Sequence, residues 1–105
     1  MNDTAERRIF ERFKTEIPLA LHHSAGKMRA TSIDVSGEGT AIITSAQLTP
    51  GGEVDLVFSI SQSDQVLTLR SNVVWTTQLG QHLWKAGIHF VNPSLLVISH
   101  LLLPQ

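Results

Sequence analysis

The chain has no cysteine. Disulfides and thiolate metal sites are therefore excluded, and nothing points to an oxidising compartment. A basic excess is missing as well: the formal net charge is -1, whereas a dedicated duplex-binding protein carries a strong positive surplus. DNA is thereby excluded as a partner, and any anion must be met by a local cluster. Long apolar runs are also absent. Met1 to Glu16 is polar and charged, without the apolar core of a secretory signal, and the apolar C-terminal run is shorter than the roughly 20 residues that a membrane-spanning helix needs. The sequence predicts a cytoplasmic protein with no membrane insertion.

What is present fits one domain. The 105 residues are 42% hydrophobic and 16% charged, enough for a single modest core. Residues 1–15 read as a flexible N-terminal arm, because Met1 to Glu16 holds Arg7, Arg8, Arg12 and Lys14, four of the eight basic residues, and few large apolar ones. Arg8 and Arg12 stand four apart, so a helical turn projects both guanidinium groups from one face, where they repel unless an anion lies between them. Residues 16–105 read as a barrel followed by a helix. Ile17, Leu19 and Leu21 alternate with Pro18, Ala20 and His22, as in a strand. His23 to Gly26 supplies a turn, and Lys27 to Ile33 returns as the second arm of a hairpin. Thr40 to Thr44, Val54 to Ile60, Gln65 to Trp75 and Trp84 to Phe90 read as four more strands, with a polar loop through Gly80 after Trp75. Short connections between six strands favour a closed antiparallel barrel, which leaves few exposed edges. Asn92 and Pro93 then start a helix expected to run from Pro93 to Leu102, whose Leu95, Val97, Ile98, Leu101 and Leu102 plug one mouth of the barrel.

Between the second and third strands lies Asp34-Val35-Ser36-Gly37-Glu38-Gly39, the predicted site. Its glycines let backbone amides approach a ligand, Asp34 offers two acceptor oxygens and Ser36 a hydroxyl. An antiparallel hairpin brings what precedes its first strand to the end where its second strand stops. Arg8 and Arg12 are therefore expected on the same rim as Asp34, Ser36 and Gly39. Other chemistry has less support. His22 and His23 are adjacent and point to opposite faces of a strand, which spoils them as joint metal ligands. Ser36 lies in no Gly-x-Ser-x-Gly elbow and has no Asp-x-His companion, so neither a catalytic nor a metal site is expected. Trp75 and Trp84 are expected in the core.

Taken together, Arg8-Ile9-Phe10-Glu11-Arg12 before the first strand and Asp34-Val35-Ser36-Gly37-Glu38-Gly39 after the second resemble the paired signature of the PilZ domain family, bacterial receptors for cyclic di-GMP. Gly87-Ile88-His89-Phe90 and the apolar C-terminal helix resemble the family's closing strand and helix. The resemblance covers nearly the whole chain. It implies an all-β fold with a C-terminal helix, a six-stranded antiparallel barrel with cyclic di-GMP bound across its rim by Arg7, Arg8, Arg12, Asp34 and Ser36, while Gly39 serves the turn. It also implies that Arg7 favours an intercalated ligand dimer, that no enzyme activity or cofactor is involved, and that a separate effector protein carries the output. The alternative is a protein interaction module of the same fold that binds no nucleotide. Two further expectations concern the ends of the chain. Asn2 to Lys14 should order when its arginines close over the ligand. Leu96 and Leu103, opposite the plugging face of the helix, should offer a surface to a target protein or to a second copy in a homodimer.

Overall fold

The computed structural model describes residues 12–24, 26–59 and 65–93. They form six strands, β1 (Phe13–His23), β2 (Gly26–Val35), β3 (Gly39–Thr44), β4 (Glu53–Ser59), β5 (Val66–Gly80) and β6 (Leu83–Phe90). The strands close into an antiparallel barrel in the order β1-β2-β3-β6-β5-β4. This is the barrel that the alternation predicts. The expected helix from Pro93 to Leu102 lies, beyond Pro93, outside the described residues, as do Leu96, Leu103, Arg7 and Arg8.

The core is built from the inward half of each alternating strand. Leu19 and Leu21 of β1, Val54, Leu56 and Phe58 of β4, Val73 of β5, and Ala86, Ile88 and Phe90 of β6 converge in one cluster. Four of the five connections join neighbouring strands. The link from β3 to β4 does not, because the two strands lie on opposite sides of the barrel. That connection crosses the mouth at the far end of β1, and the crossing inserts Ala46 and Leu48 into the core. Gly51 and Gly52 then dock on β5: the Gly51 N–H donates to the Val73 carbonyl at 2.7 Å and the Val73 N–H to the Gly52 carbonyl at 2.9 Å. Gly51 has a φ of 89°, a conformation that side chains strain to adopt.

Strict alternation fails at four places, the last between Gln78 and Gly80 of β5. β1 begins at Phe13, four residues earlier than its apolar pattern suggests, and shifts register between Lys14 and Ile17. β2 shifts against β3 between Ser32 and Asp34, leaving Ile33 as an extra residue. β5 shifts against β6 between Val73 and Trp75, which turns Trp75 out of the core face on which simple counting places it. Its side chain is 42% exposed and lies across Gly87, where any Cβ would collide with the indole. The segment after Trp75, expected to be a polar loop, continues as strand to Gly80 and pairs with Leu83 and Trp84.

Candidate functional site

The rim where β1 begins and β2 ends is positioned by a one-residue miscount. Ala30 and Ser32 are buried inward-facing residues of β2, and unbroken alternation would aim Asp34 into the barrel beside them. The extra residue, Ile33, reverses the faces. Val35 becomes the fully buried residue, and Asp34 faces outward opposite Ala41. Bulges commonly re-aim a side chain in this way. Hydroxyls fasten the distortion from inside: Ser32 Oγ and Thr40 Oγ1 lie 2.7 Å apart, and both reach the Asp34 carbonyl oxygen. Thr15 Oγ1 donates to the Ser32 carbonyl at 2.9 Å, tying β1 into the same network.

Outward-facing Asp34 collects donors. Its Oδ1 accepts the Ala41 N–H at 2.9 Å and Arg12 Nη1 at 2.8 Å. Among the described residues none donates to Oδ2. The guanidinium and carboxylate are 43% and 28% exposed. A pair this wet contributes about 0–1 kcal/mol, so its geometry is set at little energetic depth and a better partner can displace it. Lys14 stands opposite Asp34 on β1 and adds a second cation to the neighbourhood.

The glycine corner after Asp34 is a tight, self-satisfied turn. The Ser36 N–H donates to the Gly39 carbonyl at 2.8 Å, and Ser36 Oγ accepts the N–H groups of Glu38 and Gly39 at 3.1 and 3.2 Å. Ser36 is fully buried. Its hydroxyl, expected to meet a ligand's phosphate or sugar, is occupied in holding the corner. Gly39 is required by packing: a Cβ there would strike the Ile88 carbonyl oxygen of β6. The corner is pinned on that strand by the Phe90 N–H, which donates to the Glu38 carbonyl at 2.8 Å.

Following the register outward from Asp34 reveals a feature that sequence reasoning missed. Asp34 pairs with Ala41, Ala41 with Gly87, and Gly87 with Trp75, so the four form one outer-face row across β2, β3, β6 and β5. Three interstrand spacings of about 4.8 Å make the row about 14 Å long. Ala41 is buried and Gly87 lies beneath the indole, so what the row exposes is its two ends, Trp75 and the Arg12–Asp34 pair. One end offers an aromatic face and the other hydrogen-bonding groups. Two signals for it were in the sequence: the run Val73-Val74-Trp75 breaks alternation, and a glycine inside a strand marks close approach.

Of the residues expected at the site, Arg12, Asp34, Ser36 and Gly39 lie together at this rim, the first two in direct contact. Arg7 and Arg8 lie outside the described residues. The barrel also has a groove of about 650 Å³ at the opposite end, lined in part by His22, Leu48, Asp55 and Arg70, which shares no residue with the motif rim. Among the described residues no group of His, Asp or Glu is placed to hold a metal ion, and no helix is long and apolar enough to cross a membrane.

Comparison with known proteins gives a consistent picture. The family model described as the PilZ domain matches residues 6–102. No curated protein matches. Among solved structures, the Bacillus subtilis inhibitor of motility MotI/DgrA superposes with a TM-score of 0.66 at 13% identity, over 84% of this chain and 44% of that one. The PilZ domain of CeSA from a cellulose-synthesizing bacterium gives 0.60 at 18% identity, over 82% and 85%. MrkH of K. pneumonia in its apo state gives 0.58 at 15% identity, over 85% and 44%. At such identities the likeness is one of fold. The chain spans less than half the length of MotI/DgrA and of MrkH.

Proposed function

Since the chain belongs to the PilZ domain family, we propose that it is a receptor for cyclic di-GMP that responds by changing the arrangement of its N-terminal arm and so regulates a separate protein. The observation that carries this reading is the meeting of the two motifs: Arg12 of the first donates to Asp34 of the second at 2.8 Å, on the outer face of the rim.

The chemistry follows from the groups present. Guanine offers O6 and N7 as adjacent acceptors on one edge, which an Arg fork satisfies in one plane. Arg12 supplies one fork and Arg8 the second. The opposite guanine edge carries N1 and N2 donors, and Oδ2 of Asp34, to which no described residue donates, is an acceptor for them. Ser36 and Gly39 act by shaping the corner that presents Asp34 and the neighbouring amides. Trp75, at the far end of the row, offers a base a stacking face. Arg7, next to the first motif arginine, favours an intercalated ligand dimer. Binding trades the Arg12–Asp34 pair for two charge-assisted contacts with the nucleotide, an exchange that costs little because the pair is solvated. The arm that carries Arg7 and Arg8 then closes over the ligand and presents a new surface to an effector in the cytoplasm. MotI is named for inhibiting motility and CeSA comes from a cellulose-synthesizing bacterium; control of a separate machine of this kind is the role we assign here.

Isothermal calorimetry tests the reading. Cyclic di-GMP should bind saturably, and cyclic di-AMP should not compete, since adenine lacks the O6 acceptor. Trp75→Ala should weaken binding by about 1–3 kcal/mol, the usual worth of one stacked base. Absence of heat and of competition at near-millimolar nucleotide would remove the receptor reading and leave a protein interaction module of the same fold.

A further inference from the structure

The barrel is closed, yet one strand has an open side. β5 pairs with β4 only as far as Asn72, and its last contact on that side is between Val73 and Gly52. From Val74 to Gly80 it pairs with β6 alone. The outer half of the β5–β6 hairpin therefore projects past β4, and among the described residues its free edge has no partner. Edges of this kind template pairing with another chain unless charge, proline or coverage blunts them. Among the described residues none of these does. Residues 71–84 contain no Asp, Glu, Lys, Arg or Pro, and Val74, Trp75 and Leu79 are 57%, 42% and 52% exposed.

We propose that the Val74–Gly80 edge pairs with the same edge of a second copy, joining two β5–β6 hairpins into one continuous antiparallel sheet about a two-fold axis at Thr77. Two-fold antiparallel pairing sets one residue opposite itself, and the neighbours at equal distance on either side then face each other. With Thr77 on the axis, Thr76 meets Gln78 of the second copy and Trp75 meets its Leu79. Polar side chains thus face polar ones, and each exposed indole covers an exposed leucine, a favourable cross-strand combination. A centre at Thr76 would instead set Trp75 against Thr77 and leave Leu79 in water. Self-pairing is favoured over a foreign strand because the edge is complementary to itself about Thr77 and offers no charge by which to select another sequence. The register shifts at either end of Trp75 to Gln78 keep the shared sheet short, so the dimer is weak and concentration-dependent. It shares Trp75 with the proposed nucleotide site, but the pairing needs no nucleotide and is tested in its absence.

Sedimentation equilibrium of the nucleotide-free protein from about 10 µM to about 1 mM tests the proposal. The average mass should rise from 11.5 kDa toward twice that value. Thr77→Lys and Thr77→Glu, each at an exposed position, should be monomeric throughout, because two like charges meet on the axis. Mixing the two variants in equal amounts should restore the dimer. Leu79→Lys should dissociate it by removing the cover over Trp75, an independent check if a Thr77 variant melts early. The double variant Leu96→Glu with Leu103→Glu should associate like the wild type. A wild-type protein monomeric at 1 mM, dimerisation of both charged variants alone, failure of their mixture to reassociate, or loss of the dimer only in the Leu96 and Leu103 variant would each overturn the proposal.

Discussion

The two mouths of this barrel are built on opposite principles. The mouth at the end of β1 is crossed by the β3–β4 connection, which inserts Ala46 and Leu48 among core side chains. The mouth at the beginning of β1 is furnished with hydroxyls. Thr15, Ser32 and Thr40 form the buried network beneath Asp34, and Ser36 holds the glycine corner. Apolar contact is strong in sum but indifferent to direction, whereas hydrogen bonds are modest in energy and specify direction. One end therefore supplies stability and the other supplies aim.

Substitutions at the two ends should break that division in graded ways. The largest effect belongs to the crossed mouth: Leu48→Ala should destabilise the fold by about 2–5 kcal/mol, read from urea unfolding, with nucleotide affinity per folded molecule unchanged. A matching loss of affinity in the folded fraction would show that the two ends are coupled. Next comes Gly39→Ala, whose methyl group meets backbone, not a yielding side chain. About 1–3 kcal/mol of stability should go, together with measurable nucleotide binding, since the corner cannot shift without moving Asp34. Retention of affinity in calorimetry would mean that the corner's position is not what the ligand reads. Smallest in stability is Arg12→Ala, at about 0–1 kcal/mol for a solvated pair, with an affinity loss of about 1–3 kcal/mol if its fork holds a guanine. A stability loss as large as that of Leu48→Ala would contradict the assignment of aim to this end.

Much of this arrangement was legible in the residues. Apolar alternation locates all six strands, and hairpin geometry places Arg12 with Asp34. What escaped was every place where the count changes. Alternation assigns Asp34 to the face of Ser32 and Trp75 to the face of Val73; the structure separates both pairs, because a bulge depends on how two strands match and neither strand alone records it. The stretch Thr76 to Gly80 read as loop because it lacks a buried face, yet it is strand, held on one side by β6. The burial of Ser36 is equally hidden in the sequence, because it depends on the corner folding back on β6.

The extra residue at Ile33 bears on how such a site can be gained and lost. Most binding sites are spelled in side chains and drift by substitution, each step altering one contact. Here the outward aim of Asp34 is spelled in length, by β2 being one residue longer than the stretch of β3 it matches. Deleting Ile33 would leave every motif residue in the sequence and turn the carboxylate toward the hydroxyl-lined interior, with Val35 driven out into water. A comparison of sequences that scores only which residues are present would still read the motif as intact, although the barrel would no longer display it.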